Sequence, residues 1–328
     1  MIKQLAIKNF KSIKSLEIPC KKLNVFIGEP NSGKSNILEA LSLKSQSSFG
    51  RYLSKDIFRY KTIGDLFYDF DINTPIEVNT DNDNALLFYA IRENKIPENQ
   101  FHFIMGDQQK AANPIRIAHD GEVVGSGDIH NTKVKFYEFK RLQAFAPGYM
   151  PHLSVPFGDN LPGLLLSNSN LKKWVSDFFK SKDLTLTLKP TENDLTISKF
   201  VEGEIYSYPY FSISETLQRI VFYSMAIKSN ENSTLLLDEP ESNTFPFYTK
   251  FLGESIALDE SNQFFITTHN PYLLLSLIEK SKSADLNVCL VQMKDFKTVV
   301  TVLDEKQLSK VLDFESDVFF NFDKIVQK

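Results

Sequence analysis

The chain has 328 residues, 42% hydrophobic and 24% charged, with a formal net charge of −4, a balance that predicts a packed core in one large domain or two small ones. No apolar run approaches the ~18 residues a membrane helix needs, and the lysine-broken start MIKQLAIKNFK is unlike a signal peptide; a cytoplasmic location without a membrane partner is expected. Cys20 and Cys289 lie far apart with no paired spacing, so they give neither a disulfide framework nor a zinc site and read as packing residues.

Charge is uneven along the chain. Residues 1–61 hold 12 Lys/Arg against 4 Asp/Glu. Such a lobe could face phosphates, nucleic acid or an acidic partner, or it could be a set of solvated lysines, since no aromatic residues interleave with them.

In chain order, IKQLAIKNF, KSLEIP and KLNVFIG read as three short strands. The last passes through a Gly-rich loop into KSNILEALSLK, whose apolar residues at 37, 38 and 41 have helical spacing. From about 62 to 140 the periodicity is mixed, with turns at NTDNDN (79–84) and GEVVGSGD (121–128) and a strand in TKVKFYEFKRL. A Pro/Gly-rich loop over 146–165 precedes a helix around 169–180 and paired strands in LTLTLKPTENDLTISKF. Then come a helix after Ser212, the strand TLLLD and the strand QFFITT, closed by His269-Asn270-Pro271. Strands alternating with helices predict an α/β fold with a parallel sheet. There is no internal repeat and no long heptad array.

Gly28-Glu29-Pro30-Asn31-Ser32-Gly33-Lys34-Ser35 satisfies G-x-x-x-x-G-K-[ST] between a predicted strand and a predicted helix. In such a loop the glycines let backbone amides wrap a β-phosphate, Lys34 reaches the β/γ oxygens, and the Ser35 hydroxyl holds Mg²⁺. The expected nucleotide-binding set is Gly28 to Ser35 with the adjoining Asn36. Leu235-Leu236-Leu237-Asp238-Glu239 is an apolar strand ending in two carboxylates. Asp238 is placed to reach the Mg²⁺ shell and Glu239 to polarise an attacking water; alone, the pair would read as a strand end entering solvent. His269 ends a second apolar strand, where an imidazole can donate to a γ-phosphate.

The order of these motifs resembles that of ABC-type AAA ATPases of the RecF/SMC class. LAIKNFKSI precedes the P-loop, DEPESNTFP is similar to a Walker B strand with its D-loop, and TTHNP is similar to a switch-histidine segment. Within the class the chain looks most like the ATPase domains of the overcoming-lysogenization-defect (OLD) proteins and the PtuA-like ATPases of bacterial phage-defence loci. PFGDNLPGLL at 156–165 is similar to a G-x-N-L segment of such heads.

The resemblance implies an α/β P-loop NTPase head of ABC type. Its mixed central sheet would have flanking helices and an inserted α+β region over about 62–200, within one head spanning 1–328. It also implies ATP and Mg²⁺ as ligands, and two heads joined head to tail with each nucleotide between one P-loop and the other copy's signature segment. By position that segment is Ser212 to Glu215, with Ser212, Ser214 and Glu215 as its polar residues. Ile213 and Ser214 stand where transporter-like heads have two glycines. Ser212-x-x-Glu215 also reads as a capping box of the following helix, and a helix N-terminus there would present amides to an anion with or without glycines. Ile213, β-branched, would hinder close approach of phosphate.

For the Mg²⁺-sensing glutamine of the class, Gln143 is the best-placed residue, with Gln108 and Gln109 as competitors. Phe10, Lys11 and Ser12 lie where related heads meet nucleotide. The resemblance to OLD proteins implies a nuclease domain after the ATPase, but 59 residues after His269 are too few for one. An effector is therefore expected on a separate chain. The leading expectation is a slow ATP-hydrolysing switch for that effector, in phage defence or DNA maintenance. The others are a slow ATP-bound scaffold, a transporter nucleotide-binding subunit, and a RecF-like DNA-repair clamp in which the basic lobe binds duplex.

Overall fold

The computed structural model describes residues 1–81, 83–91, 97–106, 113–125, 127 and 133–326. Gln108 and Gln109 lie outside them, as do Ser126 and Asp128 of the expected 121–128 turn. In chain order the elements are β1 (Gln4–Phe10), β2 (Ile13–Pro19), β3 (Leu23–Ile27), α1 (Lys34–Ser42), β4 (Ile76–Thr80), β5 (Asn84–Ile91), β6 (Pro97–Met105), β7 (Ile115–Ala118), β8 (Val123–Gly125) and β9 (Val134–Tyr137). Next are α2 (Leu161–Ser167), α3 (Ser169–Lys180), β10 (Thr185–Lys189), β11 (Asp194–Val201), β12 (Glu204–Pro209) and α4 (Glu215–Lys228). The chain continues through β13 (Thr234–Asp238), α5 (Pro246–Ala257), β14 (Gln263–Thr267), α6 (Pro271–Lys280), β15 (Leu286–Lys294), β16 (Lys297–Val302), α7 (Glu305–Phe314) and α8 (Phe322–Val326).

The central sheet has the order β16-β15-β3-β14-β13-β9. Its strands are parallel except β16, which runs antiparallel to β15. Parallel strands buried on both faces read as continuous apolar runs, as in LNVFI of β3 and QFFIT of β14, which are buried along their whole length. Alternate side chains still separate. Leu235 and Leu237 join the cluster under α4, α5 and α6. Leu236 and Phe265 face the opposite cluster with α1 and the amino-terminal strands.

A second, antiparallel sheet runs β2-β1-β4-β5-β6-β7-β8, and a third runs β10-β11-β12. The stretch 62–200, expected as one insert, is divided. Its first part extends the β1–β2 hairpin into the second sheet, β9 returns to the central sheet beside β13, and the remainder builds α2, α3 and the third sheet. Among the described residues, five of the amino-terminal cations are ion-paired, three of them with acids after residue 76: Lys8 with Glu77, Lys44 with Asp83 and Arg51 with Glu122. Lys11 and Arg59 share Glu39. The local excess of positive charge in residues 1–61 is thus partly neutralised in three dimensions. Among the described residues no helix is long and apolar enough to cross a membrane.

Candidate nucleotide site

The P-loop leaves β3 at the carboxyl edge of the central sheet and closes on α1. Gly28 (φ 151°) and Gly33 (φ 97°) both hold the left-handed backbone that favours glycine. A Cβ on Gly28 would lie 2.1 Å from the Val291 carbonyl oxygen of β15, and one on Gly33 would lie 2.0 Å from Thr298 Oγ1 of β16. The loop is braced from outside. Thr298 Oγ1 donates to the Ser32 carbonyl at 3.1 Å and contacts Ser12 Oγ at 2.7 Å, and Ser12 Oγ accepts from Asn36 Nδ2 at 2.7 Å. Lys34 Nζ donates to the carbonyls of Gly28 at 3.1 Å and Glu29 at 2.8 Å. Burial lowers its pKa to about 8.

Because β14 lies between β3 and β13, the carboxyl ends of all three strands meet at one edge. Ser35 Oγ on α1 donates to Asp238 Oδ1 at 3.1 Å, and Thr267 Oγ1 at the end of β14 donates to the same oxygen. Burial pushes the Asp238 carboxyl up, against those two hydrogen bonds. Glu239 follows with φ 43°, a left-handed conformation uncommon for a non-glycine residue. Its amide donates to Thr267 Oγ1 at 3.0 Å, and its Oε1 lies 3.1 Å from His269 Nε2. The hydrogen bond from His269 holds the Glu239 carboxyl below the ordinary range, with Ser242 assisting. Residues 30–36, Arg59, Glu239 and His269 line one cleft.

A family model described as "AAA ATPase domain" matches residues 1–196, more than half of the chain. The chain belongs to the AAA ATPase domain family. A second model, described as "AAA domain, putative AbiEii toxin, Type IV TA system", matches residues 143–276. No curated protein matches the chain. Among solved structures it is similar to an SMC head bound to the C-winged helix domain of ScpA, at 18% identity over 94% of this chain and 99% of that one, with a TM-score of 0.55. A Pyrococcus furiosus Smc head with an extended coiled coil, bound to the C-terminal domain of ScpA, aligns at 16% identity over 95% of this chain and 98% of that one, with a TM-score of 0.46. The fold is that of an ABC/SMC-like P-loop ATPase head.

ATP fits the loop of this AAA ATPase because Gly28 and Gly33, pressed against Val291 and Thr298 where a Cβ would clash, give the loop a backbone only glycine allows, and because Lys34 lines the cleft at the start of α1, whose amides favour an anion. Ser35 and Asp238 are the residues that would hold Mg²⁺. Among the described residues no group of three or more His, Cys, Asp or Glu is suited to a metal. A cation here would therefore be held by few protein oxygens together with phosphate oxygens, as Mg²⁺ commonly is.

Ser212 departs from the capping-box expectation. It closes a 3₁₀ turn with its hydroxyl donating to the Pro209 carbonyl at 2.7 Å, and α4 starts at Glu215 with Ser214 as N-cap and no side-chain cap bond. Glu215 instead accepts from Arg219 at 3.0 Å, one helical turn on. The reason is local: Ile213 is extended (φ −75°, ψ 172°), which carries Ser212 out of reach of the first helical amides. Ile213 packs against the core, so its branched side chain is directed inward, while Ser212 and Ser214 are exposed. Gln218 Nε2 and Arg141 fix the Ile213 carbonyl at 2.9 and 3.0 Å.

Gln143 is exposed in irregular chain six residues beyond the end of β9. The residue that follows β9, beside Asp238 in the register of the two parallel strands, is Glu138, whose carboxyl is pushed up by burial and then by Asp238. Sequence reasoning missed Glu138, Thr267, Thr298 and Arg59. Thr267 was legible as the polar end of an apolar strand. Arg59 had no local signal; Glu39, buried on α1, holds its guanidinium (Nε to Oε1, 2.7 Å) at the cleft.

Proposed function

We propose that the chain is an ATP-hydrolysing switch. Two copies join head to tail around ATP and Mg²⁺, with each nucleotide between one P-loop and the partner's Ser212–Glu215 segment. Hydrolysis separates them, and the motion controls a separate effector in phage defence or DNA maintenance. The observation that carries the hydrolytic part is the Glu239–His269 pair, 3.1 Å apart at the cleft that holds the P-loop. A carboxylate kept charged at that edge can accept a proton from water, and His269 and Lys34 are placed to meet the γ-phosphate. Mg²⁺, when bound, neutralises charge developing on the phosphates.

The partner-facing role of residues 212–215 is supported by exposed Ser212 and Ser214 at the N-terminus of the fourteen-residue α4, whose first amides carry no side-chain cap. The inward packing of Ile213 weighs against a slow scaffold, a reading that rests on the glycine-free segment. The ion pairs of the first lobe leave fewer free cations for a DNA-repair clamp. An SMC head with the same fold binds a ScpA domain, and docking of a separate protein on this head is proposed by analogy.

The test is ATP turnover by Lys34→Ala and Ser212→Arg, each alone and then co-expressed as mixed oligomers. Recovery of activity in the mixture, where one intact composite site forms, is the expected result. Two inactive variants that stay inactive together would remove the head-to-tail site from the reading.

A further inference from the structure

Two carboxylates of the DEPES segment meet the cleft or its cation position, but a third, Glu241, turns the other way. It is 4% exposed, the most buried acid of the segment. Thr268 Oγ1 donates to Glu241 Oε1, and the same hydroxyl accepts from the Asn270 amide at 2.9 Å. Asn270 Oδ1 in turn accepts from the amides of Tyr272 and Leu273 at 2.8 and 3.3 Å, capping α6. His269 sits in the middle of this turn, between the two bonded residues, and its Nε2 meets Glu239.

We propose that Glu241 is a positioning residue for ATP hydrolysis, whose buried carboxyl fixes the Thr268–Asn270 turn and so holds His269 on Glu239. The inference rests on the reading of Glu239 and His269 given above. It ties the loop after β13 to the loop after β14, so the two strand ends that carry Glu239 and His269 move as one piece.

Two further observations support it. Glu241 Oε2 has no hydrogen-bond partner among the described residues, and an unpaired buried polar atom is uncommon enough in folded chains to point to a functional constraint on its side chain. Burial also pushes this carboxyl up to about 7, with the Thr268 hydroxyl and the amides of Glu241 and His269 opposing the shift. A side chain that is neutral much of the time can be replaced by its isosteric amide without losing the bond from Thr268.

The experiment compares Glu241→Gln, Glu241→Ala and Thr268→Val in the full chain, reading kcat, KM for ATP, and amide hydrogen exchange over residues 266–272. Glu241→Ala and Thr268→Val are expected to lower kcat at least tenfold with KM within threefold, and to speed exchange of that segment. Glu241→Gln is expected to keep kcat within threefold. Thr268→Val breaks the same bond from the other side and carries the test if Glu241→Ala does not fold. Wild-type kcat and exchange in a folded Thr268→Val protein would overturn the proposal, as would a Gln variant as slow as the Ala variant. If the wild-type chain turns over no ATP, the hydrolytic reading fails by itself, and hydrogen exchange still decides whether Glu241 holds the turn.

Discussion

Each acid in Asp238-Glu239-Pro240-Glu241 has a different environment, and burial pushes the Asp238 and Glu241 carboxyls up while the bond from His269 holds Glu239 down. Asp238 is buried but bonded by Ser35 and Thr267, Glu239 is half-exposed against His269, and Glu241 is buried with one bonded oxygen. For Glu241 the consequence is measurable as stability against pH. Its carboxyl rises from an ordinary 4.5 to about 7 on folding. Between those values the folded chain keeps a proton that the unfolded chain has lost, so this group's contribution is full below about 4.5 and is lost as pH rises through 7. Glu239 and the Tyr223 hydroxyl are the other titratable groups coupled to it. Glu241→Gln, which has no proton to lose, should therefore be more stable than the wild-type chain at pH 8, with the gap closing towards pH 5. Urea unfolding at the two pH values measures it; a gap that widens on acidification would contradict the assigned environment.

At the scale of elements, close contacts decide where the strand ends lie. Helices α5 and α6 pack where Gly253 meets Ser276: a Cβ on Gly253 would lie 2.7 Å from Ser276 Cβ and 3.3 Å from Leu273 Cδ1. In an isolated helix Gly→Ala gains about 1 kcal/mol. Here the new methyl must push α6 away, and overpacking costs about 1–3 kcal/mol. Gly253→Ala is thus expected to be net destabilising by about 1 kcal/mol, lowering the melting temperature by a few degrees in calorimetry. Because α6 begins at Pro271, two residues after His269, turnover should fall as well. A higher melting temperature would mean that helix propensity outweighs the contact.

The β15–β16 hairpin makes the related point about legibility. Sequence reasoning assigned neither of its strands, and its turn, Asp295-Phe296, has left-handed φ values of 48° and 58° without a glycine or asparagine. The usual hairpin signal is absent. Thr298, which braces the P-loop from this hairpin, was hidden with it.

The whole molecule brings the P-loop, the Glu239–His269 pair and the exposed start of α4 together as parts of one head, and the proposed pairing of heads uses all of them. Removing the proposed proton acceptor while keeping the phosphate loop should separate binding from turnover. Glu239→Gln is expected to bind ATP as the wild-type chain does, to turn it over at least a hundredfold more slowly, and to accumulate as an ATP-dependent dimer in light scattering. A variant that binds ATP yet stays monomeric would sink the head-to-tail arrangement while leaving the single-chain chemistry standing.

By itself the sequence determined the phosphate loop, the acidic strand end, the histidine strand end and the alternation of strands and helices. These are local properties: a loop of eight residues needs its own glycines, and a buried parallel strand needs its own apolar run. Tertiary structure alone decided which strand lies between β3 and β13, which carboxylate faces the cleft and which the interior, and which acids neutralise the amino-terminal cations. It also placed Glu138 rather than Gln143 beside Asp238, and turned Ser212 from a helix cap into a turn residue. Those outcomes depend on contacts between residues tens to hundreds of positions apart, such as Ser35 with Asp238, Thr298 with Ser32, and Glu241 with Thr268. A one-dimensional pattern carries the period of an element, but the partner across a sheet edge is chosen by how the layers pack.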